Sequence, residues 1–362
     1  PYDCFILEQD GRLADQVFSQ YISLNLTHHP RFNQVSSSKE ALEQLRLRDH
    51  DLAIITAQNR DMAPTELAAA IKELNPRLPV LMLTYDRSAA QTFSELGSKS
   101  NLDGVYLWTG DPRLFLAMVK SVEDRLNVAR DTRKLGVRVI ILVGDSPAFY
   151  SAYLPTMWTE LLNQTRSLMK GVLNDAHGRH RARARPKLLH AHNYEQALQY
   201  MELYSDYLLG LVTDMRFPRA GRTDRNAGWK LVERVRRDLP GLPILIQSAE
   251  AEHAAEAARR KLAFADKNSP GLLSVLRDFM LSYLGFGPFV FRTKSGKELG
   301  QAHDTQEMMD MLKTIPAECL ARHAAGNNFS TWLLARTEFE SASHIMPWKL
   351  EDFTDIEAMR AA

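Results

Sequence analysis

The run LLGLVTDMRFP, Leu208 to Pro218, sets four apolar residues, a glycine and a threonine against an aspartate and then passes into loop chemistry. A short apolar run bounded by polar residues predicts a strand of a covered parallel sheet. Asp214 closes the run, and Pro218 restricts the loop that follows. Taken alone, this aspartate reads equally as a cap for the loop or for a helix. Its chemistry depends on what stands at the ends of the neighbouring strands.

Working outward, the same pattern recurs. VRVIILV (Val137 to Val143) and KLLHAH (Lys187 to His192) lie upstream, PILIQS (Pro243 to Ser248) and LAFAD (Leu262 to Asp266) downstream, with helical intervals between them. The interval from Pro147 to Pro186 is long, and its basic tail HGRHRARARPK is expected as an exposed turn. An earlier set repeats the order with little residue identity: CFILE (Cys4 to Glu8), FNQV (Phe32 to Val35), LAIIT (Leu52 to Thr56), PVLMLT (Pro79 to Thr84) and GVYLW (Gly104 to Trp108). SSSKEALEQLRLRD and TELAAAIKELN separate these runs with helical periodicity, and a long helix around DPRLFLAMVKSVEDRLNVARDTRKL closes the set. The expected fold class is α/β: two tandem doubly wound, five-stranded parallel sheets and a mostly helical C-terminal segment. The expected domains are residues 1–134, 135–284 and 285–362.

Composition narrows the function classes. The chain has 362 residues, 45% hydrophobic and 25% charged, which at roughly 150 residues per domain fits two or three globular domains. Its 45 basic and 44 acidic residues leave a formal charge of +1, so no global field recruits nucleic acid or an anionic membrane. Cys4 and Cys319 have neither disulfide-scaffold nor zinc spacing, as expected for a cytoplasmic protein. No apolar run reaches the roughly 20 residues that span a bilayer. Neither first strand is followed by a glycine-rich phosphate loop, and no nucleophile–base pair stands out, so no enzyme is expected.

Ligands of a doubly wound sheet bind beyond the carboxyl ends of its strands. In the second set, Asp145 follows strand one, Asp214 ends strand three, Ser248 ends strand four and Lys267 follows strand five. Two carboxylates can hold a hard cation such as Mg2+, and a hydroxyl and an ammonium can hold phosphoryl oxygens. VGD (Val143 to Asp145), DMRFP (Asp214 to Pro218), SA (Ser248 and Ala249) and DKN (Asp266 to Asn268) in this order resemble the two-component response-regulator receiver domain. The resemblance implies a flavodoxin-like fold, Asp214 as phosphoacceptor, and Mg2+ held by Asp145, Asp214 and the Arg216 backbone carbonyl. It implies Ser248 as the switch hydroxyl, Lys267 as the phosphoryl partner and Phe264 as the switch aromatic. Two positions depart from the pattern: Gly144 stands where receivers commonly carry an acid, and Asn268 where they carry proline.

The first set resembles a pseudo-receiver. Thr56 takes the position of Asp214 and Trp108 that of Lys267, while Thr84 keeps the hydroxyl. Asp61, five residues past the strand end, is the alternative acid there. Glu8 and Asp10 retain some acidity at strand one.

After Leu284, GFGPFVFRTKSGKELGQ predicts a hairpin turning at Ser295 and Gly296. TQEMMDMLKTI, PAECLARHAAG and NNFSTWLLARTEFESASHI predict three helices. In this last part Asn327, Asn328, Phe329, Ser330, Trp332, Leu333, Ala335, Arg336 and Glu338 resemble the linker preceding a phosphoenolpyruvate synthase or pyruvate phosphate dikinase-like domain. That resemblance implies an output domain beyond Ala362. The expected function is a signal-transduction module phosphorylated on Asp214. Its expected partners are a histidine kinase or phosphotransfer protein, a downstream domain of the same polypeptide and, in one form, a second copy as a homodimer. A non-phosphorylated interaction scaffold is the alternative. Of four histidines considered as metal ligands, His177 and His180 fall in the basic turn, and His190 and His192 alternate on one strand. Ordinary separate locations are expected for them.

Overall fold

The structure is a computed structural model that describes residues 19, 21–22, 30–57, 61–170 and 185–362. Its packing divides into two compact units, Pro1–Glu123 with Asp145–Trp158, and Asp124–Gly144 with Thr159–Ala362. Two of the three bounds fall inside long helices, Arg113–Leu135 and Pro147–Lys170, and the third lies between Gly144 and Asp145.

Among the described residues, the first unit holds a three-stranded parallel sheet: β1 (Ala53–Thr56), β2 (Val80–Thr84) and β3 (Gly104–Leu107), in that order. Every residue of β2 is buried, as an apolar central strand requires. Helices α1 (Ser38–Leu47), α2 (Pro64–Leu74) and α3 (Arg87–Leu96) accompany it. Leu67, Ala68 and Ile71 of α2 recur at helical spacing and pack into the core with Val80 and Met82. Asp86 caps α3 by accepting from Ser88 N at 2.7 Å and Ala89 N at 3.2 Å. The expected strand CFILE lies outside the described residues. FNQV is not a strand: Phe32, Asn33 and Gln34 are all exposed, so the run has no alternating apolar face to bury.

The second unit contains all five expected strands: β4 (Val139–Val143), β5 (Lys187–Ala191), β6 (Leu208–Asp214), β9 (Ile244–Ser248) and β10 (Ala263–Asp266). All pairings are parallel, and the order is β10-β9-β6-β4-β5. Numbered within the unit this is 2-1-3-4-5, the flavodoxin-like order, whose switch point falls between the first and third strands, here β4 and β6. Every residue of β4, β6 and β9 is buried, which explains their continuous apolar runs. One face packs Ile141, Val143, Leu211 and Ile246 against Ala197 and Met201 of helix Tyr194–Tyr204 and Leu231, Val232 and Val235 of helix Ala227–Asp238. At roughly 1.5–3 kcal/mol for each fully buried large aliphatic side chain, this layer is a principal source of stability.

The stretch after Asp214 is more structured than a loop. Phe217–Arg219 (β7) pairs antiparallel with Arg222–Asp224 (β8) around Ala220 and Gly221, whose φ values are 51° and 74°. Two successive left-handed residues form the tight turn that matches strand twist in a two-residue hairpin. Gly228 has another reason to be glycine. A Cβ there would lie 2.4 Å from the Asp214 carbonyl oxygen and 2.8 Å from Met215 Cα, so only glycine lets this helix start reach the Asp214–Met215 backbone.

The basic tail departs from its expected place at its described end. Residues 177–184 lie outside the described set, but Arg185 and Lys187 are not part of a solvated turn. Arg185 grips buried Asp124 in a bidentate pair at 2.8 and 3.1 Å. Leu188 N donates to the same carboxylate at 2.8 Å, and Lys187 pairs with Asp131 at 2.8 Å. Charge that enters a dry interior must be paired, and this group satisfies that requirement.

The C-terminal part forms the expected hairpin, Phe289–Arg292 (β11) with Glu298–Ala302 (β12), with Gly296 at φ 89° in its turn. It packs with helices Thr305–Leu312 and Ala317–Ala325 around Phe289, Phe291, Cys319 and Trp332. The last expected helix is interrupted: Asn328–Ala335 and Phe339–Ile345 are separate, with Thr337 at φ 63° between them. Arg336 stands at the break. Its buried guanidinium donates to Gly285 O and, at 2.9 Å, to Gly287 O, and stacks 3.6 Å from the Trp332 ring centre. Burial pulls its pKa down to about 9.

Candidate functional site

The site stands at the carboxyl edge of the second sheet. Asp214 is the last residue of β6, paired in register with Gln247 of β9. It is 8% exposed, so its carboxylate is largely withdrawn from water. Met215 N donates to Oδ1 at 2.8 Å, and the Lys267 ammonium donates to Oδ2. Burial pushes the Asp214 carboxyl above its ordinary range, opposed by Lys267 and by the amides of Met215 and Arg216. Desolvation exceeds pairing here, as expected where one cation and two amides replace a full hydration shell.

The sheet register brings Lys267 to the acid. Lys267 N donates to Ser248 O at 2.9 Å, extending the β10–β9 ladder beyond Asp266. Asn268, in the place of the usual proline, has a restraint of its own: Nδ2 donates to Ala249 O at 2.9 Å, tying the lysine loop to the serine loop. Phe264 is half-buried beside the core, one residue in from Ala265 on β10. Gly144 faces the carboxylate directly, and a Cβ there would lie 3.7 Å from Asp214 Cβ and Oδ2, an ordinary contact. Arg216 lies two residues beyond Asp214 with its side chain exposed. Asp145 follows Gly144, is half-buried, and accepts at its backbone carbonyl from Ser94 Oγ at 3.2 Å.

Ser248 has a partner that sequence spacing does not announce. Its Oγ lies 2.7 Å from His253 Nδ1 and accepts from Glu250 N at 3.0 Å. His253 sits five residues on, in helix Glu252–Arg259, its ring edge-to-face with Trp229 at 6.1 Å. His190 and His192 are also closer than expected, with ring centres 4.2 Å apart. The His190 Nε2 bonds Gly144 O at 2.8 Å. Burial pushes both imidazoles below their ordinary range, His192 to about 4, which keeps this neighbouring pair neutral. Among the described residues, the one group of three ligand-type side chains within mutual reach is Glu250, Glu252 and His253, none of them an expected metal residue.

The first unit repeats the frame without the chemistry. Trp108 N donates to Thr84 O at 2.8 Å, the same bond that Lys267 makes to Ser248, but an indole replaces the ammonium. Thr56 ends β1 where Asp214 ends β6. Asp61 serves a different purpose: it accepts from Ser38 N at 2.8 Å and Ser38 Oγ at 2.9 Å, anchoring the start of α1. Glu8 and Asp10 lie outside the described residues.

The chain matches no family model and no curated protein. Among solved structures it is similar to a two-component system response regulator/GGDEF domain protein at 15% identity, covering 75% of this chain and 92% of that one, with a TM-score of 0.28. A likeness of that size carries no argument about function. What stands plainly is an α/β protein with parallel sheets, the second in flavodoxin-like order. Among the described residues, no helix is long and apolar enough to cross a membrane.

Proposed function

We propose that this chain is a regulatory module of two-component signalling in which Asp214 accepts a phosphoryl group. One observation carries the reading: a buried carboxylate ends β6 at the switch point and is ion-paired to Lys267. In the proposed step an Asp214 oxygen attacks phosphorus. The bond from phosphorus to a kinase histidine nitrogen, or to the acetate oxygen of acetyl phosphate, breaks, and that group leaves with its electron pair. Lys267 then exchanges the carboxylate for phosphoryl oxygens, Ser248 donates to another, and Phe264 repacks beside them.

The residues present fit a hard divalent cation. Asp214 offers oxygen lone pairs beyond the bonds it already accepts, and Gly144 places no side chain beside Oδ2. Asp214, Asp145 and the Arg216 carbonyl would hold Mg2+, which when bound supplies positive charge to offset the phosphoryl oxygens. The first unit would act through contact, and the C-terminal part would couple the change to a further domain of the same polypeptide, such as a phosphoenolpyruvate synthase or pyruvate phosphate dikinase-like one. In this reading the chain is a cytoplasmic regulator and not itself an enzyme. A second reading, a scaffold that is never phosphorylated, is favoured by Gly144, which removes one acid from the cation site. Incubation with Mg2+ and acetyl phosphate, read by intact mass, separates the two: the first predicts one added phosphoryl group that Asp214→Asn abolishes, the second none.

A further inference from the structure

Ser248 Oγ accepts from Glu250 N at 3.0 Å and lies 2.7 Å from His253 Nδ1. When the His253 proton sits on Nε2, which lies 3.9 Å from Glu250 Oε2, Nδ1 accepts and the serine proton is directed to it. The ring is held by more than this bond: it is 12% exposed and packs edge-to-face with Trp229, whose ring Arg260 also covers at 4.7 Å. A hydroxyl has one proton to donate. Ser248 cannot donate to His253 and to an incoming phosphoryl oxygen together.

We infer that His253 is a positioning residue that holds the Ser248 hydroxyl in reserve, so that a phosphoryl group on Asp214 gains Ser248 only by breaking the His253 bond. This inference rests on the phosphoacceptor reading above and adds a regulator to that site.

The test uses the full chain. Nitrogen-15 NMR of the histidine rings in the free protein should show His253 in the Nε2–H form, with its Nδ1 resonance shifted by Ser248→Ala. An Nδ1–H form, or no response to that substitution, overturns the inference. Beryllofluoride with Mg2+, a phosphoryl mimic, is then titrated against wild type and variants. His253→Ala should bind roughly 2- to 12-fold tighter, the worth of one neutral hydrogen bond. His253→Gln, whose amide oxygen can accept the same bond, should stay near wild type, and the gain should vanish in a Ser248→Ala background. Beryllofluoride binding that His253→Ala leaves unchanged overturns the latch alone. No binding by any variant overturns the phosphoacceptor reading, and the latch with it.

Discussion

The Asp214–Lys267 pair makes a stability prediction that does not depend on phosphorylation. The two side chains are 11% and 7% exposed, so each neutralises a charge that water barely reaches. Replacing one partner strands the other. Asp214→Asn keeps an oxygen for Met215 N but turns an amide toward the ammonium, and Lys267→Met leaves the carboxylate beside a thioether. Each single change should cost about 3–5 kcal/mol, whereas changing both removes the stranded charge and should cost about 1 kcal/mol or less. The coupling in a double-mutant cycle would then be about 5 kcal/mol or more. The pH dependence distinguishes the two singles. Without Lys267, the already raised Asp214 carboxyl rises further while its unfolded value is unchanged. That penalty is absent below the unfolded carboxyl range and grows as pH climbs through the folded value, so Lys267→Met should recover stability at acidic pH. Asp214→Asn strands a cation that stays charged across the same range, so its cost should be nearly flat. Urea unfolding at pH 5 and pH 8 reads both effects. Singles within about 1 kcal/mol of wild type that simply add would refute the claim that this pair is buried and mutually dependent.

Two further outcomes follow from the structure. Gly144→Asp places a second acid in ordinary contact with Asp214 and should tighten Mg2+ at least about fivefold by calorimetric titration. Arg336→Ala removes two carbonyl bonds and the Trp332 stack and should cost about 3 kcal/mol in urea unfolding, with Arg336→Lys intermediate because an ammonium lacks the planar fork that spans both carbonyls.

Much of the second sheet is legible in sequence because its strands are buried on both faces, and VIILV or LLGLVT has no other comfortable state. The same rule misleads at FNQV, where a short run with two polar centres satisfies a strand pattern but has nothing to bury. The hairpin after Asp214 is hidden because Ala220 occupies a left-handed position that Asn or Gly would advertise. The break after Ala335 is hidden too: helical periodicity continues through TWLLARTEFES, while in the fold Thr337 turns left-handed and Arg336 reaches Gly285 and Gly287. In the site, strand-end logic finds Asp214, Ser248 and Lys267, since parallel register puts them at one edge. His253 escapes it, because its contact with Ser248 depends on how the following helix begins, and no spacing rule encodes that.

Phosphorylation of Asp214 is tested most directly by intact-protein mass after incubation with Mg2+ and acetyl phosphate, for wild type, Asp214→Asn and Thr56→Ala. A single base-labile phosphoryl adduct is expected on wild type and on Thr56→Ala, and none on Asp214→Asn. An unmodified wild type, or an adduct that survives Asp214→Asn, would overturn the phosphoacceptor reading.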